Sequence, residues 1–263
     1  MKIISIINQK GGVGKTTTVI NLAAGLSQNN KKILVIDLDP QGNATTGLGL
    51  LNNSQSSNSI YEVLSGSKKI NDVISKTKFS NLDIITSNVD LSGLEVETAD
   101  DGRRAYILKE KLAAYLNDSR GHYDYVLIDC PPSLSLLTVM ALVASHSLLV
   151  PLQTEFFALE GITQLIKTIE RIKVGLNPNL TIRGILLTMF DKRNKLSTEV
   201  DKEARNYFKD KVYQTVIQRN VRLSEAPSHG LPCVIYDKNC VGSKSYLKLA
   251  EEFKRKSNIG SAA

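Results

Sequence analysis

Short apolar runs alternate with stretches of helical periodicity along most of this 263-residue chain. Runs rich in Ile, Val and Leu predict buried strands, and apolar residues spaced by three or four predict helices packed on them. The predicted strands cover 2–8, 32–37, 82–86, 124–129, 147–151, 182–188 and 212–216. The predicted helices cover 15–29, 103–117, 134–144, 158–174, 196–209 and 243–256. This alternation predicts an α/β fold, a mostly parallel twisted β-sheet with helices on both faces and a ligand site at the carboxyl ends of the strands. We expect a single domain over 1–256 and a short tail over 257–263.

One stretch, 134–154, contains no Asp, Glu, Lys or Arg and has to be considered as a membrane span. Ser, Thr, His and Pro residues interrupt it, and a bilayer span needs about 20 predominantly apolar residues. The stretch is better divided into a buried helix over 134–144 and a buried strand over 147–152.

Charge and cysteine content narrow the class of protein. The net charge of +7 is uneven, because the part from Lys167 onward carries most of the excess of Lys and Arg. A basic half beside a nearly neutral half is typical of a polyanion partner, although lysine-rich solvated helix faces give the same count. The three cysteines form no C-x-x-C pair, which indicates a reducing cytosol and argues against a disulfide frame or a zinc site.

Candidate chemistry concentrates directly after the first predicted strand, in the segment Lys10-Gly11-Gly12-Val13-Gly14-Lys15-Thr16-Thr17. A glycine-rich loop between a strand and a helix N-terminus holds phosphate through backbone N–H groups and the helix dipole. Lys15 is placed to reach the β- and γ-phosphates, and the Thr16 hydroxyl to ligate Mg²⁺. The G-x-x-x-x-G-K-[ST] pattern fails at one position, since residue 9 is Gln, and it gains a second lysine at Lys10.

Two further segments lie at the ends of predicted strands and carry carboxylates. Asp37 and Asp39 follow one apolar run, and Asp129 follows another at Tyr125-Val126-Leu127-Ile128. An Asp at a strand end is often a helix cap or a turn residue. Three such carboxylates around one phosphate loop favour a magnesium and phosphate site instead.

With these motifs the chain resembles the deviant Walker A class of P-loop NTPases, also called the SIMIBI type. The segment Asn220-Val221-Arg222-Leu223-Ser224-Glu225-Ala226-Pro227-Ser228-His229-Gly230 narrows the resemblance to the ParA/Soj family of chromosome- and plasmid-partitioning ATPases. The resemblance covers residues 2 to about 255.

The family resemblance implies an ATPase that uses ATP and Mg²⁺. Lys10, Lys15, Asp39 and Asp129 are then the catalytic residues, with Asp39 orienting the attacking water and Asp37 the weaker candidate. Lys10 is expected to cross an ATP-dependent homodimer interface and contact the partner's nucleotide. Thr16, Asp39 and Asp129 are expected at the metal. The nucleotide contacts implied are Lys10, Gly11, Gly12, Val13, Gly14, Lys15, Thr16, Thr17, Met189, Arg219 and Asn220. Gln218 stands where family members usually have Pro, a departure on the adenine side.

The resemblance also implies partners. Arg193 and Arg222 match arginines that relatives use to bind double-stranded DNA without sequence preference. A ParB/Spo0J-type centromere-binding protein is expected to stimulate a slow ATPase. The implied location is cytoplasmic and associated with the nucleoid.

Three other classes carry the same lysine-bearing loop or a related one. A MinD-like membrane-surface ATPase needs an amphipathic terminal helix, whereas Leu249 and Phe253 indicate a helix that packs on the core, so that no stable membrane association is expected. An iron–sulfur protein needs more cysteines than Cys130 at the site. A bacterial tyrosine kinase would carry a terminal tyrosine cluster, whereas the nine tyrosines here are scattered.

Overall fold

Seven strands form one sheet in the computed structural model, which describes residues 1–50, 58–117 and 123–259, with side chains described as far as Lys256. The strands are β1 Lys2–Ile6, β2 Ile33–Asp37, β3 Ile74–Lys76, β4 Leu82–Ile85, β5 Tyr125–Asp129, β6 Ser147–Gln153 and β7 Thr181–Thr188. Their order is β3-β4-β2-β5-β1-β6-β7, and all neighbours are parallel except the pair β3 and β4. The prediction of a mostly parallel sheet is therefore confirmed.

The register of the central strands brings their carboxyl ends level. Asp129 of β5 lies opposite Ile6 of β1 on one side and opposite Asp37 of β2 on the other. Because β1 has β5 and β6 as its two neighbours, the loop that follows β1 leaves the sheet between the loops of both. This is the position at which open α/β sheets bind ligands.

Helices cover both faces of this sheet. They are α1 Lys15–Gln28, α2 Asn43–Gly47, α3 Ile60–Leu64, α4 Ile70–Val73, α5 Leu94–Glu97, α6 Ile107–Asn117, α7 Leu136–Ala144, α8 Ala158–Gly175, α9 Lys195–Phe208, α10 Arg222–Glu225, α11 Cys233–Tyr236 and α12 Val241–Ile259. Alternate side chains of a strand point to opposite faces, so each strand contributes to two cores. In β5, Leu127 packs with residues of α1 and α12, whereas Val126 and Ile128 pack with residues of α6 and α7.

The last helix packs on the core, as its sequence predicts. Tyr246, Leu249 and Phe253 of α12 are buried, and the Phe253 ring meets the Tyr125 ring edge-on with centroids 5.5 Å apart. These apolar side chains pack against the protein interior and are therefore not available to a lipid surface. The helix continues to Ile259, past the expected domain end at 256.

Most predicted elements occur within about two residues of their expected bounds. The helix α6 begins four residues after the expected 103, α12 ends three residues after the expected 256, one expected strand is wrong and one short strand was not predicted. The prediction of a strand over 212–216 is wrong. Val212 makes an isolated bridge to Ile185, and the residues that follow run beside β7 without forming a strand. Its apolar residues are explained by edge closure, because Tyr213 is fully buried there. The three-residue strand β3 was not predicted, since so short a segment carries no periodic pattern.

The uncharged stretch over 134–154 forms the buried helix α7 and the buried strand β6, as the sequence predicts. Of the helices in the described ranges, none combines the length and the apolar character that crossing a membrane requires. The three cysteines are free, with the sulfur atoms of Cys233 and Cys240 3.6 Å apart and Cys130 buried.

Candidate functional site

The loop from Asn8 to Gly14 joins β1 to α1, and its glycines allow a backbone that other residues adopt rarely. Gly12 and Gly14 have φ angles of 74° and 89°, in the left-handed region that favours glycine. Gly14 is also the N-cap of α1, and no described side chain caps the first turn. The N–H groups of that turn are therefore left to an external acceptor, and the helix dipole favours an anion there.

Side chains from neighbouring strands fix the path of this loop. The Asn8 side chain donates to the Pro151 carbonyl at 2.7 Å and accepts from the Lys10 backbone N–H at 3.0 Å. The Thr188 hydroxyl, at the end of β7, donates to the Val13 carbonyl at 2.9 Å. The loop is thus held from β6 and from β7, which preorganises its backbone before a ligand binds.

Lys15 points back over the loop rather than into solvent. Its Nζ donates to the Lys10 carbonyl at 3.1 Å, and the residue is only 6% exposed. Burial lowers the pKa of the Lys15 ammonium, and the negative charges of Asp129 and Asp39 oppose that shift. An ammonium held in the mouth of a phosphate loop is placed to exchange its carbonyl partner for a phosphate oxygen.

Three aspartates at or just after the carboxyl ends of β2 and β5 lie near enough for their charges to interact. Asp37 is fully buried, and its carboxylate accepts from the backbone N–H and the hydroxyl of Thr45 at 2.8 and 2.7 Å. Burial raises the pKa of Asp37 to about 6 despite these hydrogen bonds. Asp39 is 8% exposed, and its Oδ1 accepts from the Gln41 N–H at 3.0 Å.

Asp129 is the member of this group whose carboxylate lacks a hydrogen-bond partner of acceptable geometry among the described residues. It is completely buried, and neither carboxylate oxygen makes a hydrogen bond of acceptable geometry within the described part of the chain. Burial, together with the charges of Asp37 and Asp39, raises the pKa of Asp129 well above its usual range. The neighbouring Thr16 hydroxyl and Lys15 ammonium act in the opposite direction.

This arrangement fits a divalent cation. The charges of Asp129 and Asp39 act on the Lys15 ammonium, and a buried carboxylate without a hydrogen-bond partner is costly unless a cation joins it. The described residues contain no cluster of three or more His, Cys, Asp and Glu that could enclose a metal on its own. Mg²⁺ needs no such cage, because it binds through one or two carboxylates, substrate phosphates and water. Asp129, Asp39 and the Thr16 hydroxyl are the residues that could hold it.

Lys10, the second lysine of the loop, lies on the outside. Its side chain is 52% exposed, and its Nζ forms an ion pair with the carboxylate of Glu155, which follows β6. The Lys10 ammonium is therefore engaged by Glu155 and lies partly in solvent. The residue types in the sequence give no sign of this pair, because its members are 145 positions apart.

A cavity of about 350 Å³ opens beside the loop, between the end of β7 and the segment before α10. It is lined by Gly14 and Thr17 on the loop side and by Met189, Arg219 and Asn220 on the other. Its volume is in the range of small-molecule sites. The structure thus places together the loop and the three residues expected on the adenine side, and Gln218 lines the same cavity.

Arg193 and Arg222 lie on two segments that border one neighbouring cleft, which Arg193 lines together with Arg219 and Val221. Arg193 is highly exposed and makes two hydrogen bonds to Asp191, at 2.8 and 3.0 Å. Arg222 begins α10 and pairs with Glu225 at 2.7 Å and with Asp237 at 3.6 Å. Both arginines are accessible, and both are paired with carboxylates within the chain.

A phosphate loop after β1 of a mostly parallel sheet, with aspartates at the ends of the adjoining strand β5 and of β2 beyond it, defines the class of P-loop nucleotide-binding proteins. Comparison with known proteins agrees. A family model described as "AAA domain" matches residues 1–182. Fold alone does not specify an activity, so the particular family rests on relatives of high identity.

Two such relatives match nearly the whole chain. The chromosome partitioning protein ParA of Caulobacter vibrioides is 52% identical over 252 residues, covering 96% of this chain and 93% of that protein. The chromosome-partitioning ATPase Soj of Treponema pallidum is 50% identical over 251 residues, covering 95% and 96%. This chain belongs to the ParA/Soj family of chromosome-partitioning ATPases.

Solved structures share the fold. The cobyrinic acid a,c-diamide synthase of Mycobacterium smegmatis, solved with ADP and magnesium, has a TM-score of 0.84 at 32% identity and covers 99% of this chain and 96% of that one. The septum site-determining protein MinD of Pyrococcus horikoshii, solved with Mg-ADP, has a TM-score of 0.80 at 28% identity, with 98% of each chain covered.

Proposed function

We propose that this chain is a magnesium-dependent ATPase whose ATP-bound dimer binds double-stranded DNA without sequence preference and releases it on hydrolysis, so that a chromosome or plasmid is segregated. The observation that carries the proposal is the buried carboxylate of Asp129, uncompensated within the described chain and beside Lys15 and Thr16. Relatives named as partitioning ATPases, and neighbours solved with adenine nucleotides and magnesium, support it.

Each residue of the site has a role in this proposal. Lys15 and the first-turn N–H groups of α1 hold the β- and γ-phosphates, and Met189, Arg219 and Asn220 border the base. Asp129, Asp39 and Thr16 hold Mg²⁺, which when bound neutralises phosphate charge. Asp39 also orients the attacking water, since its Oδ1 is fixed by the Gln41 N–H and its other oxygen can accept a second hydrogen bond.

The exposed position of Lys10 supports association of two copies. A lysine at the accessible edge of a phosphate loop can act in trans, as an arginine finger does. Large apolar side chains are exposed on the loops after β5, β6 and β7, namely Leu134, Phe156, Phe157 and Met189. Exposed apolar groups around a polar site are typical of a surface that a partner covers.

The dimer would couple nucleotide to DNA. Each subunit presents Arg193 and Arg222, and a dimer presents both twice, which strengthens binding to a polyanion through avidity. A ParB/Spo0J-type protein would stimulate hydrolysis and so release the DNA. Nucleoid association would follow from the DNA-bound state.

The test is duplex-DNA binding, followed by fluorescence anisotropy, with ATP, with ADP and without nucleotide. We expect DNA binding with ATP, and none with ADP or without nucleotide. Asp39→Ala should retain ATP-dependent binding while losing hydrolysis, and adding the ParB-type protein should release the wild-type chain but not the variant. Binding that ignores the nucleotide would overturn the proposed switch.

The role of Lys10 needs its own experiment. Lys10→Ala should still bind ATP, because Lys15 and the loop amides remain, but should not form the ATP-dependent dimer. Sedimentation velocity with ATP measures the dimer, and nucleotide titration measures ATP binding. An unimpaired dimer in this variant would eliminate the role in trans.

A further inference from the structure

We infer that Glu155 is a positioning residue that holds Lys10 within its own subunit until the nucleotide of a second subunit displaces it. The inference rests on the proposed ATP-dependent dimer. It adds that Glu155 competes with the partner's nucleotide for the Lys10 ammonium. The Lys10 ammonium donates to the Glu155 carboxylate in the single chain, and one ammonium cannot serve this carboxylate and a partner's phosphate with full strength at the same time.

Both ends of this contact are anchored in the backbone, so only side chains have to move. The Lys10 N–H donates to the Asn8 side chain at 3.0 Å, and that side chain donates in turn to the Pro151 carbonyl at 2.7 Å. The Glu155 N–H donates to the Gln153 carbonyl at 2.9 Å, and the Glu155 carbonyl accepts from the Ala158 N–H at 3.1 Å. The two backbones thus present the ion pair in one place, and release of Lys10 is a change of rotamer.

The pair lies where a second copy would approach. Glu155 is followed directly by Phe156 and Phe157, which are 73% and 65% exposed. The side chains of Lys10 and Glu155 are themselves 52% and 29% exposed. A partner subunit that covers the two aromatic rings would therefore reach the ion pair in the same encounter.

Exposure also sets the strength of the restraint. Partly exposed ion pairs shift an equilibrium by about 1.5- to 5-fold, which is weak enough for a phosphate to overcome. A symmetric dimer would break one such pair in each subunit. The expected effect of Glu155 on the dimer dissociation constant is the square of the single effect, about 2- to 25-fold.

Glu155→Gln tests this competition, with Glu160→Gln as the matched control, because Glu160 is exposed on α8 and five residues away. With ATP and magnesium, sedimentation should give a dimer dissociation constant about 2- to 25-fold lower for Glu155→Gln and unchanged for Glu160→Gln. The difference should shrink in high salt, which screens the ion pair in the wild type. A weaker dimer, or a change equal to that of the control, would overturn the inference.

A second measurement needs neither nucleotide nor dimer. Competitive acetylation of the nucleotide-free protein, read by mass spectrometry, reports how freely each lysine amine reacts. Lys10 should react several-fold faster in Glu155→Gln than in the wild type, while Lys167, on α8, stays constant. Equal reactivity of Lys10 in both would overturn the inference even if the dimer forms. A wild-type chain that stays monomeric with ATP would instead defeat the proposed function.

Discussion

At the scale of residues, the burial of Asp37 makes the stability of the folded chain depend on pH. The residue has no exposed surface, and burial raises its pKa to about 6. Between the ordinary value near 4 and this raised value, the folded chain binds more protons than the unfolded chain. Stability therefore falls as the pH rises through that window.

We expect Asp37→Asn to remove much of this slope, because the amide does not ionise. The free energy of unfolding of the wild type, relative to the variant, should fall by on the order of 2 kcal/mol between about pH 4 and pH 6. Urea denaturation without nucleotide or magnesium measures it. Asp100→Asn, an exposed change of the same charge, is the control and should follow the wild type at every pH.

Asp191 offers a second residue-scale prediction. The hydrogen bonds that it accepts from the Arg193 side chain and N–H lower the pKa of its carboxyl to about 2, so it is ionised at any physiological pH. In the proposed function it would compete with DNA phosphates for the arginine. Asp191→Asn should raise the affinity of the ATP-bound protein for duplex DNA several-fold. Asp100→Asn again serves as the charge control, and a loss of affinity would show that Asp191 positions Arg193 productively instead.

The sequence indicates the residues of the loop and the carboxylates, because their types and spacing are constrained by phosphate and magnesium. It does not indicate which side chains hold them. The contact of Thr188 with the Val13 carbonyl spans 175 positions, and Thr45 reaches Asp37 from a short helix that the sequence does not reveal. Such contacts depend on tertiary packing, which one sequence does not record.

At the scale of elements, one close contact links the two sides of the site. Gly49, just after α2, and Gly230, after the short 3₁₀ helix at Ala226–His229, have φ angles of 81° and 63°. A Cβ on Gly230 would lie 2.8 Å from the Gly49 Cα, and one on Gly49 would lie 2.8 Å from the Gly230 carbonyl oxygen. The segment after Asp39 thus touches the segment that carries Arg222.

Gly230→Ala should destabilise the chain by about 1–3 kcal/mol, because the left-handed backbone and the opposing glycine both resist a Cβ. The matched change Gly161→Ala lies in α8, where nothing lies within 4 Å of the added carbon. It should stabilise by about 0.5–1 kcal/mol, as alanine does for glycine inside a helix. Thermal melts of both variants measure these changes in stability. Equal shifts of the melting temperature in the two variants would show that the contact between the glycines does not contribute to stability.

The predicted strands and helices agree with the structure where burial requires a regular spacing of apolar residues. The parallel strands and the helices of two turns or more have regular apolar spacing, so their positions follow from the sequence. The helices of four or five residues do not complete a period, and the segment at 212–216 is apolar because it closes an edge rather than because it extends the sheet.

At the scale of the whole molecule, charge is the property that the sequence already displays. The net charge of +7 comes from the part of the chain that begins near α8 and includes Arg193 and Arg222. Because DNA affinity from phosphate contacts depends on released counterions, the logarithm of the binding constant should fall linearly with the logarithm of salt concentration.

Arg222→Glu should reduce that slope by about 2 in the ATP-bound dimer, since each subunit loses one phosphate contact and each contact contributes about 0.9. Anisotropy titrations at several salt concentrations measure the slope. Lys109→Glu makes the same charge change on α6, on the other face of the sheet, and should leave the slope nearly unchanged. Equal slopes for the wild type and Arg222→Glu would show that DNA binds at a surface that does not include Arg222.

The two borders of the sheet limit how copies of this molecule can associate. On one side lies the three-residue antiparallel strand β3, which ends at the largely exposed Lys76. On the other, the segment with Val212 and Ile217 bonds along β7, where the Tyr213 and Ile217 N–H groups donate to Ile185 and Leu187 at 2.9 and 2.8 Å. Short, charged or covered borders discourage growth by strand addition. The proposed dimer, which would form and dissolve with each round of hydrolysis, is thereby kept from the irreversible route of β-polymerisation.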